Sequence, residues 1–152
     1  MLGELSDNQI DLLLQTEWVG RIACVTDGQP YVVPIPFALD GDYIYGHSKE
    51  GKKISMMRKN SCVCFEVDNI ENLANWRSVI VSGEFEEIRT QKLQNEAHKI
   101  LASKFSPVVA SEMLKQAAHE THPPFVVEKA SRAIYFRIKI TEKTGRFEKH
   151  SF

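Results

Sequence analysis

The chemistry-bearing residues of this chain gather where apolar alternation gives way to Tyr45-Gly46-His47-Ser48-Lys49-Glu50-Gly51-Lys52-Lys53. A strand-like run ends, a short polar loop follows, and a helical pattern opens on Gly51 with two lysines. The first amides of a helix lack an internal partner and carry the positive end of its dipole. A phosphate set against them would accept those amides and pair with Lys52 and Lys53. Ser48 would add a hydroxyl donor. His47, with a free pKa of about 6.5, suits proton exchange with a substrate. It equally suits a structural hydrogen-bonding role beside the loop. The whole stretch also reads as an ordinary solvated helix start, because Gly-Lys-Lys is common. Its glycine spacing and Ser/Thr placement are not those of a Walker loop.

Two further segments invite a ligand. In Val33-Pro34-Ile35-Pro36 the prolines stand two apart, so two missing N–H groups fall on one edge of a strand, and that edge cannot be fully laddered. Such an edge either guards against aggregation or lies open to a flat ligand that uses the remaining backbone groups. In Asn75-Trp76-Arg77-Ser78 Trp76 can cover an aromatic ring system and Arg77 can stabilise negative charge on it. Alternatively, Trp76 is a core or interface aromatic and Arg77 a surface charge.

The remaining residues offer little chemistry of their own. There is no Ser-His-Asp order, no carboxylate pair in a polar pocket context and no metal-ligand cluster, which favours chemistry borrowed from a cofactor. His119 and His122 lack the further ligands of a zinc site. Of the three cysteines, Cys62 and Cys64 lie two apart in a strand-like run and share a face; both are expected to be buried thiols. With Cys24, an odd count without framework spacing fits reduced thiols in a cytoplasm. A net charge of -1 gives no electrostatic case for a nucleic-acid or membrane-surface partner. Residues Met1 to Ile10 carry Glu4 and Asp7 and no basic residue, unlike a secretory signal. No apolar run approaches the roughly 20 residues of a membrane span. The expected location is the cytoplasm.

These residues need a scaffold, and 152 residues with 43% apolar and 26% charged content suit one domain over 1–152. Ser6 to Thr16 reads as a helix opened by a capping box, Ser6 with Gln9, with Ile10, Leu13 and Leu14 as its apolar stripe. Trp18–Thr26, Tyr31–Leu39 and Tyr43–His47 are strands, turned at Asp27-Gly28 and Asp40-Gly41-Asp42. Gly51–Lys59 is a helix with Ile54 and Met57 inward. Ser61–Val67 is a fourth strand with Val63, Phe65 and Val67 on one face, and Asp68–Asn75 is a polar connection. Trp76–Ile88 is a long fifth strand. Gln91–Phe105 is helical, interrupted at Ser106-Pro107, and Val108–His119 is helical again; Glu120–Pro124 is a loop. Ala133–Thr141 alternates as a sixth strand, with Ile134, Phe136, Ile138 and Ile140 inward. Six antiparallel strands with inserted helices suggest a closed or partly closed barrel.

Three stretches together resemble the pyridoxamine 5'-phosphate oxidase-like FMN-binding split barrels, and are most similar to their nitroimidazole-reductase type. They are Gly20-Arg21-Ile22-Ala23 with Gly28-Gln29-Pro30-Tyr31-Val32-Val33-Pro34, Tyr45-Gly46-His47-Ser48 with Gly51-Lys52-Lys53, and Cys64-Phe65-Glu66-Val67-Asp68 with Trp76-Arg77-Ser78-Val79. The tail around Thr144-Gly145-Arg146 is similar but less specific. The resemblance implies a six-stranded antiparallel split β-barrel that forms a homodimer with two FMN sites at the interface. Val33, Pro34, Ile35, Pro36 and Phe37 would run beside the isoalloxazine. Lys52 and Lys53, with Gly51, Ser48 and His47 adjoining, would hold the phosphate, and Trp76 and Arg77 would lie near the ring. The pyridoxamine phosphate oxidases themselves carry an Arg and a Lys on the second strand where this chain has Val33 and Ala38. Their C-terminal substrate-phosphate motif has no counterpart here, which argues against oxidation of pyridoxamine phosphate.

The expectation is therefore an FMN-dependent oxidoreductase that takes electrons from a reduced nicotinamide nucleotide and reduces a small electron-poor acceptor such as a nitroaromatic. The alternatives are a flavin store, chaperone or sensor without turnover, or a barrel that holds haem or a deazaflavin. Burying a flat cofactor, and covering Trp76, Val79 and Val81, would require the dimer.

Overall fold

The computed structural model describes residues 1–116 and 133–150, with the backbone alone over 107–116. The elements run β1 (Leu2–Glu4), α1 (Asp7–Thr16), β2 (Val19–Thr26), β3 (Gln29–Pro36), β4 (Ala38–Asp40), β5 (Tyr43–Ser48), α2 (Lys52–Lys59), β6 (Cys62–Asn72), β7 (Asn75–Ile88), α3 (Gln91–Gln116) and β8 (Ile134–Lys149). One antiparallel sheet has the order β3-β2-β6-β7-β8-β5-β4, with β1 added to β8. Its two end strands, β3 and β4, are joined by the single residue Phe37, so the sheet is rolled and the chain itself links its ends.

Local sequence explains the corners. Asp27 and Gly28 both take positive φ, 53° and 75°, the two-residue hairpin that Asp-Gly favours. Inside the roll, Ile22, Phe37, Ile44, Phe65, Val67, Val79, Val81, Phe136 and Ile138 are fully buried. α1 brings Ile10, Leu13 and Leu14 to this core, and α2 brings Ile54 and Met57. The close sheet curvature relies on Gly20, where a Cβ would fall 2.3 Å from the Phe65 ring. α3 lies on the outer face, where Ala97, Leu101 and Phe105 pack with Ala38, Tyr45, Ile88 and Tyr135 in a second cluster.

Several expectations are corrected. There are eight strands among the described residues, not six. The run Tyr31–Leu39 breaks at Phe37, whose buried ring turns the chain into β4, and the three-residue β1 carries no alternation to announce it. Most of the polar segment Asp68–Asn75 is strand, with only Leu73 and Ala74 between β6 and β7. β8 continues past Thr141, which is the extra residue of a bulge opposite Ser82 and Gly83. α3 runs unbroken through Ser106-Pro107. The loss of one amide there did not stop a helix already anchored by Ala97, Leu101 and Phe105. Cys62 is exposed and Cys64 half-buried, because they point away from the core face that Val63, Phe65 and Val67 occupy. Val79 and Val81 are already buried within the protomer, and it is Ile80, 40% exposed, that faces out. The expected helix end at 117–119, the 120–124 loop, His119 and His122 lie outside the described residues.

Candidate functional site

The β5–α2 corner forms because β5 stops pairing at Ser48, opposite Ile134, and the chain must cross to α2. Gly51 is the N-cap in extended conformation, and no side chain caps the helix. The first bond within the helix is Ser55 N–H to the Gly51 carbonyl at 3.0 Å. The amides of Lys52, Lys53 and Ile54 therefore have no partner inside the helix. A Cβ on Gly51 would meet nothing closer than the Lys49 carbonyl at 4.0 Å, so the approach to these amides is open. The first turn carries no acid, and the neighbouring Glu50 carboxylate is held 2.7 Å from Arg58 at the other end of the helix.

The two lysines straddle this opening. Lys52 Nζ lies 4.7 Å from the centroid of the Tyr31 ring on β3. Lys53 is half-buried, burial pulls its pKa down, and among the described residues no carboxylate pairs with it. Ser48 donates its hydroxyl to the Lys49 carbonyl at 2.8 Å. His47 is half-buried on the outer face, its ring 5.9 Å from that of Tyr135. Burial first, then the nearby His98 and Lys53, lower its pKa from the usual histidine range.

β3 is an end strand, as the prolines require. The Phe37 N–H donates back to the Trp18 carbonyl, which sets the parity of the strand. Pro30, Val32, Pro34 and Pro36 turn their backbone groups to the free edge, which then offers four carbonyls and only the Val32 N–H. Val33 and Ile35 point their side chains inward while Val32 and Pro34 are exposed.

Trp76 and Arg77 stand elsewhere. Tracing the ladders from His47 through Tyr135 leads to Ile88 of β7. Trp76 lies at the opposite end of that strand, roughly 40 Å along it. There Trp76 Nε1–H donates to Glu148 at 3.3 Å. Both residues line a cleft of about 590 Å³ with Gln9, Asn69, Phe147 and Lys149. A second cleft of about 410 Å³ is lined by Ala38, Leu39, Asp40, Ile100 and Lys104. Neither is lined by His47 to Lys53 or by Val33 to Phe37. The protomer thus brings Lys52 to β3 and Lys53 to His47, but not Trp76 or Arg77 to either.

Three side-chain pairings are not visible in the sequence. His98 Nδ1 and the Tyr135 hydroxyl are 2.9 Å apart. Lys104 donates to the Glu17 carbonyl at 2.5 Å over the face of Phe37, and burial pushes its pKa down to about 8. Arg21 bridges Glu66 and Asp68, and burial together with Asp68 raises Glu66 to about 7. Each is assembled by strand pairing or helix docking across tens of residues, and none leaves a local motif.

An anion fits the α2 corner on four observations: unpartnered amides, an open approach at Gly51, a lysine on either side and no acid in the first turn. The sequence profile of the pyridoxamine 5'-phosphate oxidase family matches residues 6–147. An uncharacterised protein of Rhizobium meliloti is 31% identical over 135 residues, 84% of this chain and 83% of its own. A FAD-binding protein of Mesorhizobium loti is 31% identical and superposes with a TM-score of 0.73 over 98% of this chain and 99% of that one. A Bacteroides thetaiotaomicron protein provisionally assigned to 5-nitroimidazole antibiotic resistance shares the fold at 18% identity and TM-score 0.73, over 97% of this chain and 87% of that one. By sequence from 6 to 147 and by fold over nearly its whole length, this chain belongs to the pyridoxamine 5'-phosphate oxidase-like split-barrel family.

Proposed function

We propose that the protein is an FMN-dependent oxidoreductase of the cytoplasm, active as a homodimer. The observation that carries this reading is the start of α2, uncapped and free of acid, with Lys52 and Lys53 on its two sides. Membership of the family, and 31% identity to a flavin-binding relative, support a flavin as the ligand. Lys52, Lys53, the amides of α2 and the Ser48 hydroxyl, once turned from Lys49, bind its phosphate. The free edge of β3 from Val33 to Phe37 accepts hydrogen bonds from its ring. Bound there, the flavin would supply two-electron transfer from a reduced nicotinamide nucleotide to a small electron-poor acceptor, a nitroaromatic being the class in view.

The separation along β7 supports the dimer. A site that uses both the α2 corner and Trp76 with Arg77 must draw them from two chains. The arm that carries Trp76 and Arg77 also exposes Ile70 (63%) and Leu73 (93%) at its tip, apolar surface suited to a partner. Arg77 from that partner stabilises negative charge on the ring and Trp76 covers it.

The test is reconstitution. The purified protein takes up one FMN per chain, shows flavin absorption and turns over with a reduced nicotinamide nucleotide and a nitroaromatic. Light scattering gives a dimer. A colourless protein that takes up no added FMN overturns the reading, and binding without turnover across a broad acceptor screen makes it a flavin carrier instead.

A further inference from the structure

α3 does more than cover the outer face. Where its first turns cross the sheet it carries His98, half-buried, with Nδ1 2.9 Å from the hydroxyl of Tyr135 on β8. The two rings meet edge-on, 6.1 Å between centroids. The Tyr135 ring also stands near that of His47, with centroids 5.9 Å apart and planes inclined by 31°. His47 in turn sits within the field of Lys53 at the start of α2. Four elements distant in sequence therefore meet here, through His98, Tyr135, His47 and Lys53. Tyr135 is 4% exposed. A hydroxyl in such a place needs a partner, and among the described residues His98 is the partner it has.

We propose that His98 is a positioning residue of the anion site: by fixing Tyr135 against His47 it holds His47 beside Lys53 as a proton acceptor, so that docking of a phosphate dianion draws a proton from solvent onto the His47 imidazole. This rests on the reading of the α2 corner as a phosphate site and adds a coupled proton to it. The charge accounting supports the step. The titratable groups that face His47 are Lys53 on α2, His98 on α3 and Tyr135 on β8, and no carboxylate acts on it among the described residues. In the free protein burial, with His98 and Lys53 nearby, favours the neutral form of His47. A dianion arriving at Lys53 reverses the local field, and an imidazole beside opposite charge favours its protonated form. One proton leaves a buffer acid and joins the ring nitrogen, and no bond in the ligand changes.

The experiment is calorimetric titration of the protein with FMN at pH 7 in two buffers of different ionisation enthalpy, which counts protons taken up per ligand bound. The ligand's own phosphate behaves alike in every variant, so differences between variants isolate the chain. The wild type takes up a measurable fraction of a proton. Tyr135→Phe and His98→Ala lose at least half of that uptake and bind FMN about fivefold more weakly, the loss expected of one hydrogen bond. His98→Asn, which keeps a hydrogen-bonding group near the Nδ1 position, retains the uptake. A role limited to packing would weaken binding without moving the proton count. Equal uptake in the wild type and in Tyr135→Phe overturns the inference, and so does loss of uptake in His98→Asn to the level of His98→Ala. Should His98→Ala fail to fold, Tyr135→Phe, smaller by one oxygen, decides the matter. If the wild type binds no FMN, the flavin reading fails by itself. Inorganic phosphate is then titrated while the His47 ring resonances are followed: a shift that Tyr135→Phe abolishes sustains the coupled site, and no shift overturns it.

Discussion

The two short helices of this protein begin in opposite ways. α1 closes its own start: Gln9 N–H donates to Ser6 Oγ at 3.3 Å, Ser6 N–H donates to Gln9 Oε1 at 2.8 Å, and Asp7 stands in the first turn. α2 does none of this. Its N-cap is a glycine, its first turn holds two lysines, and the nearest carboxylate is drawn off to Arg58. Both helices plug the same barrel with the same kind of apolar face, Leu13 and Leu14 on one and Ile54 and Met57 on the other. The difference therefore lies in what completes the backbone. α1 is finished by its own side chains, whereas α2 leaves amides and positive charge for something outside the chain.

The sharpest way to break this contrast is to remove the charge from α2. Replacing Lys52 and Lys53 together with Ala should cost about 1.5–3 kcal/mol of FMN binding for each charged hydrogen bond lost, which is two orders of magnitude or more in affinity for the pair. Fluorescence titration measures it, and unchanged affinity would remove the phosphate site from this corner. A subtler change makes α2 resemble α1. In Gly51→Asp, the extended backbone accepts an ordinary residue and the Cβ has room. The new carboxylate caps the helix and complements its dipole, raising stability by about 0.3–1 kcal/mol. It also occupies the phosphate's place, so FMN affinity should fall at least tenfold. A gain in melting temperature with intact binding would show that the amides serve no ligand.

The converse change leaves binding alone. Ser6→Ala removes the cap that completes α1 and should cost about 1 kcal/mol of stability, read as a lower urea midpoint with an unchanged slope. FMN affinity should not move. A parallel loss of affinity would mean that the two helix starts are coupled through the barrel.

The contrast between the helices was legible in the sequence, because a cap is a local arrangement of three or four residues. So were the Asp27-Gly28 hairpin and the inward faces of β6 and β8, where apolar residues on the core side alternate with mostly polar ones on the other. Legibility failed where that alternation ends. Beyond Val67 the strand carries half-buried and exposed residues on both faces, whereas beyond Thr141 the core face holds the buried Gly145 against Leu5 and Ile10, with Lys143 and Phe147 half-buried beside it. Asp68 to Asn72 therefore reads as connection, although all but Glu71 pair with β7, and Glu142 to Lys149, with Phe147 its one large apolar side chain, does not extend the sixth strand to the eye, although it pairs with β7 throughout. Pro107 was a misleading signal, since a long helix already docked by Leu101 and Phe105 absorbs the missing amide. In the candidate site, His47, Ser48, Gly51, Lys52 and Lys53 fall within one short stretch of sequence and were visible together. Tyr135 and His98 join them only through sheet register and helix docking, which no local pattern encodes.

The smallest expected effect also separates the two helix ends. The Ser6–Gln9 box is made of neutral groups, so the penalty of Ser6→Ala should not vary between pH 5 and 8. The α2 corner abuts His47, whose pKa in the folded chain is lowered by burial and by the nearby His98 and Lys53. Below its ordinary value of about 6.5 the unfolded chain takes a proton that the folded chain resists. The stability associated with the neutral ring is therefore complete above about pH 6.5 and declines as pH falls toward the folded value. Glu66 runs the other way: raised to about 7 by burial and Asp68, it favours the folded state at low pH and loses that contribution as pH climbs from its ordinary carboxylate range through 7. The two slopes overlap, so the measurement must be a difference. Urea unfolding of the wild type and of His47→Gln, compared at pH 7.5 and 5, isolates the histidine. The wild type should lose more stability than the variant over that interval. An equal loss would place the acid sensitivity away from the α2 corner and remove the electrostatic distinction between the two helix starts.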